Sequence, residues 1–104
     1  MKMWFLYLIR CKDGSLYTGI TTDVKRRFEE HQGKDGKGSK YLRGRAPLQL
    51  VLKKKIGNRS LALKIENRVK KMPRTGKELF AKGKITVKDI KQKILFNTAT
   101  KRSY

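Results

Sequence analysis

The chain has 104 residues and a formal net charge of +20, from 28 Lys and Arg against 8 Asp and Glu. That length supports one domain with one modest core, burying around two-thirds of the surface that the unfolded chain exposes. A single cysteine, Cys11, excludes an internal disulfide and fits a reducing, cytoplasmic setting, and one Cys with one His cannot build a structural zinc site within one chain.

Met3 to Cys11 is a nearly continuous apolar run ending at a turn signal, Lys12-Asp13-Gly14, and reads as a buried central strand. Ser15 to Ile20 reads as its hairpin partner. The length of the turn decides what the hairpin presents. A two-residue loop at Asp13-Gly14 would send Tyr7 and Tyr17 to opposite faces. A three-residue loop with Gly14 in the left-handed position of a G1 bulge pairs Cys11 with Ser15, sets Tyr17 opposite Ile9, and puts both tyrosines on one face.

A helix follows, with Thr22 capping it through Asp23, whose carboxylate suits the N-terminal dipole. It runs to about Gln32, where Gly33 ends it. Val24, Arg27, Phe28 and His31 share one helical stripe, so two polar residues lie on the inward face. Lys25, Arg26, Glu29 and Glu30 take the solvent side. Gly33 to Gly38 is a flexible basic loop. Ser39 to Arg45 holds a helical turn, densely cationic, with Tyr41 interleaved.

Pro47 starts a third extended run, Leu48 to Leu52. Asn58 caps a helix reaching about Met72, with the stripe Leu61, Ile65, Val69 and Met72. Pro73 stops it, and a shorter helix covers Lys77 to Lys82. The remainder, Gly83 to Tyr104, reads as a short helix and a frayed basic end. The division is therefore a domain over residues 1–82 and a basic C-terminal extension over residues 83–104.

Self-repulsion at +20 destabilises a small compact domain, and a polyanionic partner relieves it. Nucleic acid is the first choice for that partner. A membrane surface is disfavoured, because no basic amphipathic helix with a bulky apolar face dominates the chain. Among the carboxylates, Asp13 lies in a turn, Asp23 at a helix start, Asp35 in the glycine-rich loop, and Glu78 and Asp89 late among lysines. Only Glu66 lies beside the apolar stripe of a long helix. Without a carboxylate pair, a two-metal nuclease or a glycosidase is disfavoured.

The ordered set Phe5-Leu6-Tyr7, Tyr17-Thr18-Gly19, Arg27, His31 and Glu66 resembles the GIY-YIG nuclease superfamily. Within it the chain is most similar to the small stand-alone YhbQ-like branch, akin to the UvrC N-terminal domain. Leu16 to Asp23, Gly44-Arg45-Ala46-Pro47-Leu48 and the helix from Asn58-Arg59-Ser60 to Glu66 carry that likeness, which covers roughly Met3 to Leu79. Phe5 stands where glycine is usual, and Thr18 replaces an isoleucine. The resemblance implies an α+β fold, a small three-stranded antiparallel sheet flanked by helices.

It further implies single-metal hydrolysis of a DNA phosphodiester, structure-specific and repair-related, with catalytic residues Tyr7, Tyr17, Arg27, His31 and Glu66. Glu66 would hold one magnesium or manganese ion. Tyr17 would orient or deprotonate the attacking water, Arg27 would neutralise charge on the phosphoryl oxygens, and Tyr7 and His31 would align water or phosphate. Lys40, Arg43, Arg45, Lys70 and Lys71 would contact the nucleic-acid backbone. Plainer roles stand beside these: Arg27 can bridge to Asp23 or Glu30, and Glu66 with Lys70 can form a surface pair at i, i+4. The rival is a non-catalytic DNA or RNA binder on the same fold. The oligomeric state, and a protein partner that supplies specificity, stay open.

Overall fold

The computed structural model of the chain describes residues 2–33 and 37–102, with side chains described as far as Leu95. Strands β1 (Trp4–Arg10), β2 (Leu16–Thr21) and β3 (Gln49–Gly57) form one antiparallel sheet in the order β2-β1-β3. The most apolar strand is thus the central one, and the two flanking strands supply the edges.

The turn between β1 and β2 is the three-residue kind. The Cys11 amide donates to the Ser15 carbonyl at 2.9 Å and the Gly14 amide to the Cys11 carbonyl at 2.9 Å. Gly14 has φ +86°, a left-handed conformation that L side chains rarely adopt. This sets Ile9 opposite Tyr17 and Tyr7 opposite Gly19. Alternation then sorts β1 between two cores. Leu6 and Leu8 face Ala62, Ile65, Val69, Phe80 and Ile90. Tyr7, Ile9 and Cys11 face Val24 and Leu42, with Phe28 packed against them.

Helix α1 (Val24–Gln32) therefore lies over one face. It begins at Asp23, the true N-cap, whose Oδ1 accepts the Arg26 amide at 3.1 Å, while the Thr21 hydroxyl, and not Thr22, accepts the Asp23 amide. A single 3₁₀ turn over Lys40–Leu42 follows, capped by Ser39. On the other face lie α2 (Arg59–Lys70), capped by Asn58, then α3 (Arg74–Ala81) and α4 (Val87–Arg102).

Three elements differ from the sequence expectation. β3 continues past Leu52 through Lys53, Lys54 and Lys55, because backbone pairing to β1 and an edge position tolerate exposed lysines where propensity alone reads a loop. α3 starts one turn earlier than Lys77, with Pro73 at its N-cap, where a proline that ends one helix also begins the next. α4 is a 16-residue helix, and Ile90 from it is buried in the core beside Phe80. Asp35 and the last two residues of the basic end lie outside the described residues.

Arg10 on β1 grips Glu78 on α3 through two bonds, at 2.6 and 2.8 Å, and also donates to the Gly14 carbonyl at 3.1 Å. This ties α3 to the hairpin that carries both tyrosines. Among the described residues, no helix is long and apolar enough to cross a membrane.

Candidate active site

The hairpin register brings Tyr7 and Tyr17 onto one face, with ring centroids 6.4 Å apart. Tyr7 is almost fully buried. Its ring passes over Gly19 on β2, and a Cβ built at Gly19 would collide with the phenol oxygen. The glycine of the Tyr17-Thr18-Gly19 segment thus exists to let the neighbouring phenol through. The adjacent Thr18 hydroxyl is buried without a hydrogen-bond partner.

α1 delivers the next two groups. His31 is buried, with Nε2 2.9 Å from the Tyr7 hydroxyl. Its other nitrogen, Nδ1, accepts the backbone amide of Ser39 at 3.1 Å. An amide can only donate, so Nδ1 carries no proton and the hydrogen of the neutral ring sits on Nε2, donating to Tyr7. Burial, reinforced by the neighbouring Arg27 and only partly opposed by Glu30, pushes His31 down to about 4. The ring is neutral at pH 7. Gly38 lets Ser39 reach the ring, because a side chain there would strike the backbone of Glu30 and His31.

Arg27 is half-buried. Its guanidinium donates to Glu30 at 3.0 Å and to the Lys37 carbonyl at 2.8 Å, and it lies close enough to Tyr7 for its charge to act on the phenol. The plain bridge from Arg27 to Glu30 is thus formed. Burial, with Tyr17 alongside, pushes the Tyr7 phenol well above its ordinary value, and Arg27 pulls less strongly the other way. Tyr7 therefore stays protonated at neutral pH.

Glu66 comes from α2, which packs on the opposite face of the sheet. Its carboxylate nonetheless acts electrostatically on the Tyr7 phenol, and it is largely buried, with a 3.5 Å contact to Lys70. Tyr7, Tyr17, Arg27 and His31 thus meet on one face of the sheet from three elements, while Glu66 approaches from α2 on the other face. Among the described residues, no group of three or more His, Cys, Asp or Glu gathers to hold a metal. A lone, mostly buried carboxylate suits a hard cation that keeps most of its water shell, and the long contact to Lys70 is one that a cation can displace.

The basic residues separate. Arg45 lies against the site: its guanidinium is 4.2 Å from the centre of the Tyr41 ring and pairs with Asp13 at 2.7 Å. Arg43 lines the same shallow depression with Lys12 and Arg45, and Lys40 stands exposed in the 3₁₀ turn. Lys70 is engaged with Glu66. Lys71 instead lines a groove between α2, α3 and α4, away from the aromatic group.

Two members of the site escape a sequence reading. Ser39 acts through its backbone amide, which no side-chain motif reports. Tyr41 stacks on Tyr17, centroids 5.7 Å apart and planes 29° from parallel. Its position inside a basic segment is the only sequence signal for it.

Residues 3–79 match the family described as the GIY-YIG catalytic domain. Among similar curated proteins, the UPF0213 protein YhbQ of Escherichia coli O127:H6 is 55% identical over 86 residues, covering 82% of this chain and 84% of that protein. A UPF0213 protein of Cronobacter sakazakii is 50% identical over 91 residues, covering 88% and 94%. A solution NMR structure of a UPF0213 protein from Bacillus halodurans aligns with TM-score 0.52 and 40% identity, over 88% of this chain and 95% of that one.

Proposed function

The chain belongs to the GIY-YIG nuclease superfamily, and from that premise we propose that it is a divalent-metal-dependent endonuclease acting on DNA phosphodiester bonds. The observation that carries this is the convergence of Tyr7, Tyr17, Arg27 and His31 on one sheet face, with Glu66 close enough for its charge to reach Tyr7.

On this reading each residue is assigned a role that its surroundings support. Tyr17, the more exposed of the two phenols, is the group that orients or deprotonates the attacking water. Tyr7 accepts a hydrogen bond from His31, which leaves its own proton to align a phosphate oxygen or the water. Both nitrogens of His31 are spent inside the protein. It is therefore a positioning residue that acts through Tyr7, with no atom left to touch phosphate. Arg27 is held rigid by Glu30 and the Lys37 carbonyl, and a fixed guanidinium neutralises charge growing on the phosphoryl oxygens without reorganising. Glu66 would hold a single magnesium or manganese ion, which supplies Lewis-acid stabilisation of the leaving oxygen when bound.

The deciding experiment is a cleavage assay with magnesium and with manganese over single-stranded, duplex, flap and branched DNA, with the Glu66→Ala protein as control. Metal-dependent cutting that the substitution abolishes supports the proposal. Binding of every form with cutting of none leaves a nucleic-acid binder on a nuclease fold.

A further inference from the structure

Tyr41 is a large apolar ring left 43% exposed, and it is held in place more firmly than a surface side chain requires. Its hydroxyl donates to Ser15 Oγ at 3.3 Å, its ring stacks on Tyr17, and the Arg45 guanidinium sits against it. Asp13 fixes both supports at once. One carboxylate oxygen accepts the Ser15 hydroxyl at 2.6 Å, and the other accepts Arg45 at 2.7 Å. The hairpin turn that aligns the two motif tyrosines thus also clamps Tyr41 and Arg45 beside them.

We propose that the Arg45 guanidinium, carried on the Tyr41 ring, is the surface on which an unpaired nucleobase of the substrate stacks, next to the phosphodiester addressed by Tyr17. The proposal rests on the nuclease reading above and specifies what that site accepts. Planar aromatic and guanidinium surfaces stack on the flat face of a base, whatever its sequence. Within a duplex, both faces of every base are already covered by neighbours, so such a surface rewards only a base that is single-stranded or displaced. The surroundings fit the rest of the strand. Lys40 and Arg43, both exposed, lie on either side of Tyr41 in sequence, and Arg43 lines one depression with Arg45, so they can follow a phosphate backbone. Tyr41 is itself stacked on Tyr17, so a base on that surface brings its own phosphate to the reacting face.

The test reads binding without cleavage, in the Glu66→Ala protein without metal. Fluorescence anisotropy compares a short single strand with the same sequence as duplex, at several salt concentrations. Tyr41→Ala is expected to weaken single-strand binding about 10-fold while changing duplex binding by less than about twofold. The slope of log affinity against log salt should not change, because no phosphate contact is lost. Tyr41→Trp should restore the affinity. Asp13→Asn, which loosens both supports but leaves the ring, should give a smaller loss with the same preference. An oligonucleotide with one abasic position at that surface should bind more weakly to the parent protein and no more weakly still to Tyr41→Ala. Equal losses on single strand and duplex, or no loss on either, would overturn the proposal. Absence of cleavage in the parent protein would sink the enzyme reading alone, while unchanged single-strand affinity in an active enzyme would sink this one alone.

Discussion

Tyr7 crosses directly over Gly19, its partner on the neighbouring strand, and the space it uses is the space a side chain at position 19 would fill. The two motifs that bracket the hairpin are therefore one packing unit. The phenol reaches His31 only because the strand beneath it has no Cβ.

Gly19→Ala should consequently push the Tyr7 ring off its seat. Overpacking of this kind costs about 1–3 kcal/mol of stability. With Tyr7 displaced, the His31 ring gains water, so its pKa should climb from about 4 towards 6.5. Proton NMR of the chain's single histidine reads this directly. An unmoved titration would show that the strand bends to accommodate the methyl group.

Glu66→Ala should abolish metal-dependent cleavage and leave DNA affinity unchanged or slightly raised. It removes the proposed cation anchor and one negative charge from a surface that must approach phosphates. Tyr17→Phe should likewise lose cleavage, since it deletes the hydroxyl and keeps the ring. Cleavage rates and binding constants measured on the same oligonucleotides separate the two effects. A Glu66→Ala protein that neither binds nor folds would mark this carboxylate as structural.

Stability should depend on pH through His31. The folded protein holds it near 4, against an ordinary value of 6.5, so between these limits the unfolded chain binds more protons. Its contribution is fully present above about pH 6.5 and is lost progressively as pH falls towards 4. Asp13, Glu78 and Asp89 are held below their ordinary carboxylate values by hydrogen bonds, chiefly to Ser15, Arg10 and Thr86, and so act at lower pH. Urea midpoints across pH 4 to 6.5 should slope in the parent protein. They should flatten in His31→Gln, which cannot titrate.

Ile90→Ala should destabilise the whole domain by about 2–5 kcal/mol, the usual cost of emptying a buried isoleucine site. Ile90 is only 2% exposed and joins Leu6, Leu8 and Phe80 in one core. A single cooperative unfolding transition with a lowered midpoint is expected. Two separable transitions would mean that α4 is an independent appendage.

Much of this architecture was legible in the chain. Gly14 offered the three-residue turn, with Tyr7 and Tyr17 on one face, as one of two readings, and the Cys11–Ser15 pairing selects it. The spacing of Val24, Arg27, Phe28 and His31 announced a polar stripe turned inward. Less was legible where the cause is non-local. Lys53 to Lys55 form a strand because β1 offers backbone partners, which no local propensity reports. The long α4 has little amphipathic periodicity, and it is Ile90 meeting Phe80 that recruits it. The Ser39 amide on His31 depends on a loop folding back across Gly38, and only the folded chain shows that a main-chain group selects the histidine tautomer.

The lysines of β3 have one more consequence. With the sheet ordered β2-β1-β3, β3 has an open side whose main-chain groups are available to a further strand. A second copy adding there in antiparallel fashion would bring lysine rows face to face, and like charges directly opposite one another disfavour pairing. Salt screens that repulsion, and nucleic acid neutralises it. Pairing through this edge is therefore expected to be most strongly opposed in dilute buffer and least opposed where salt or a polyanion screens the lysines.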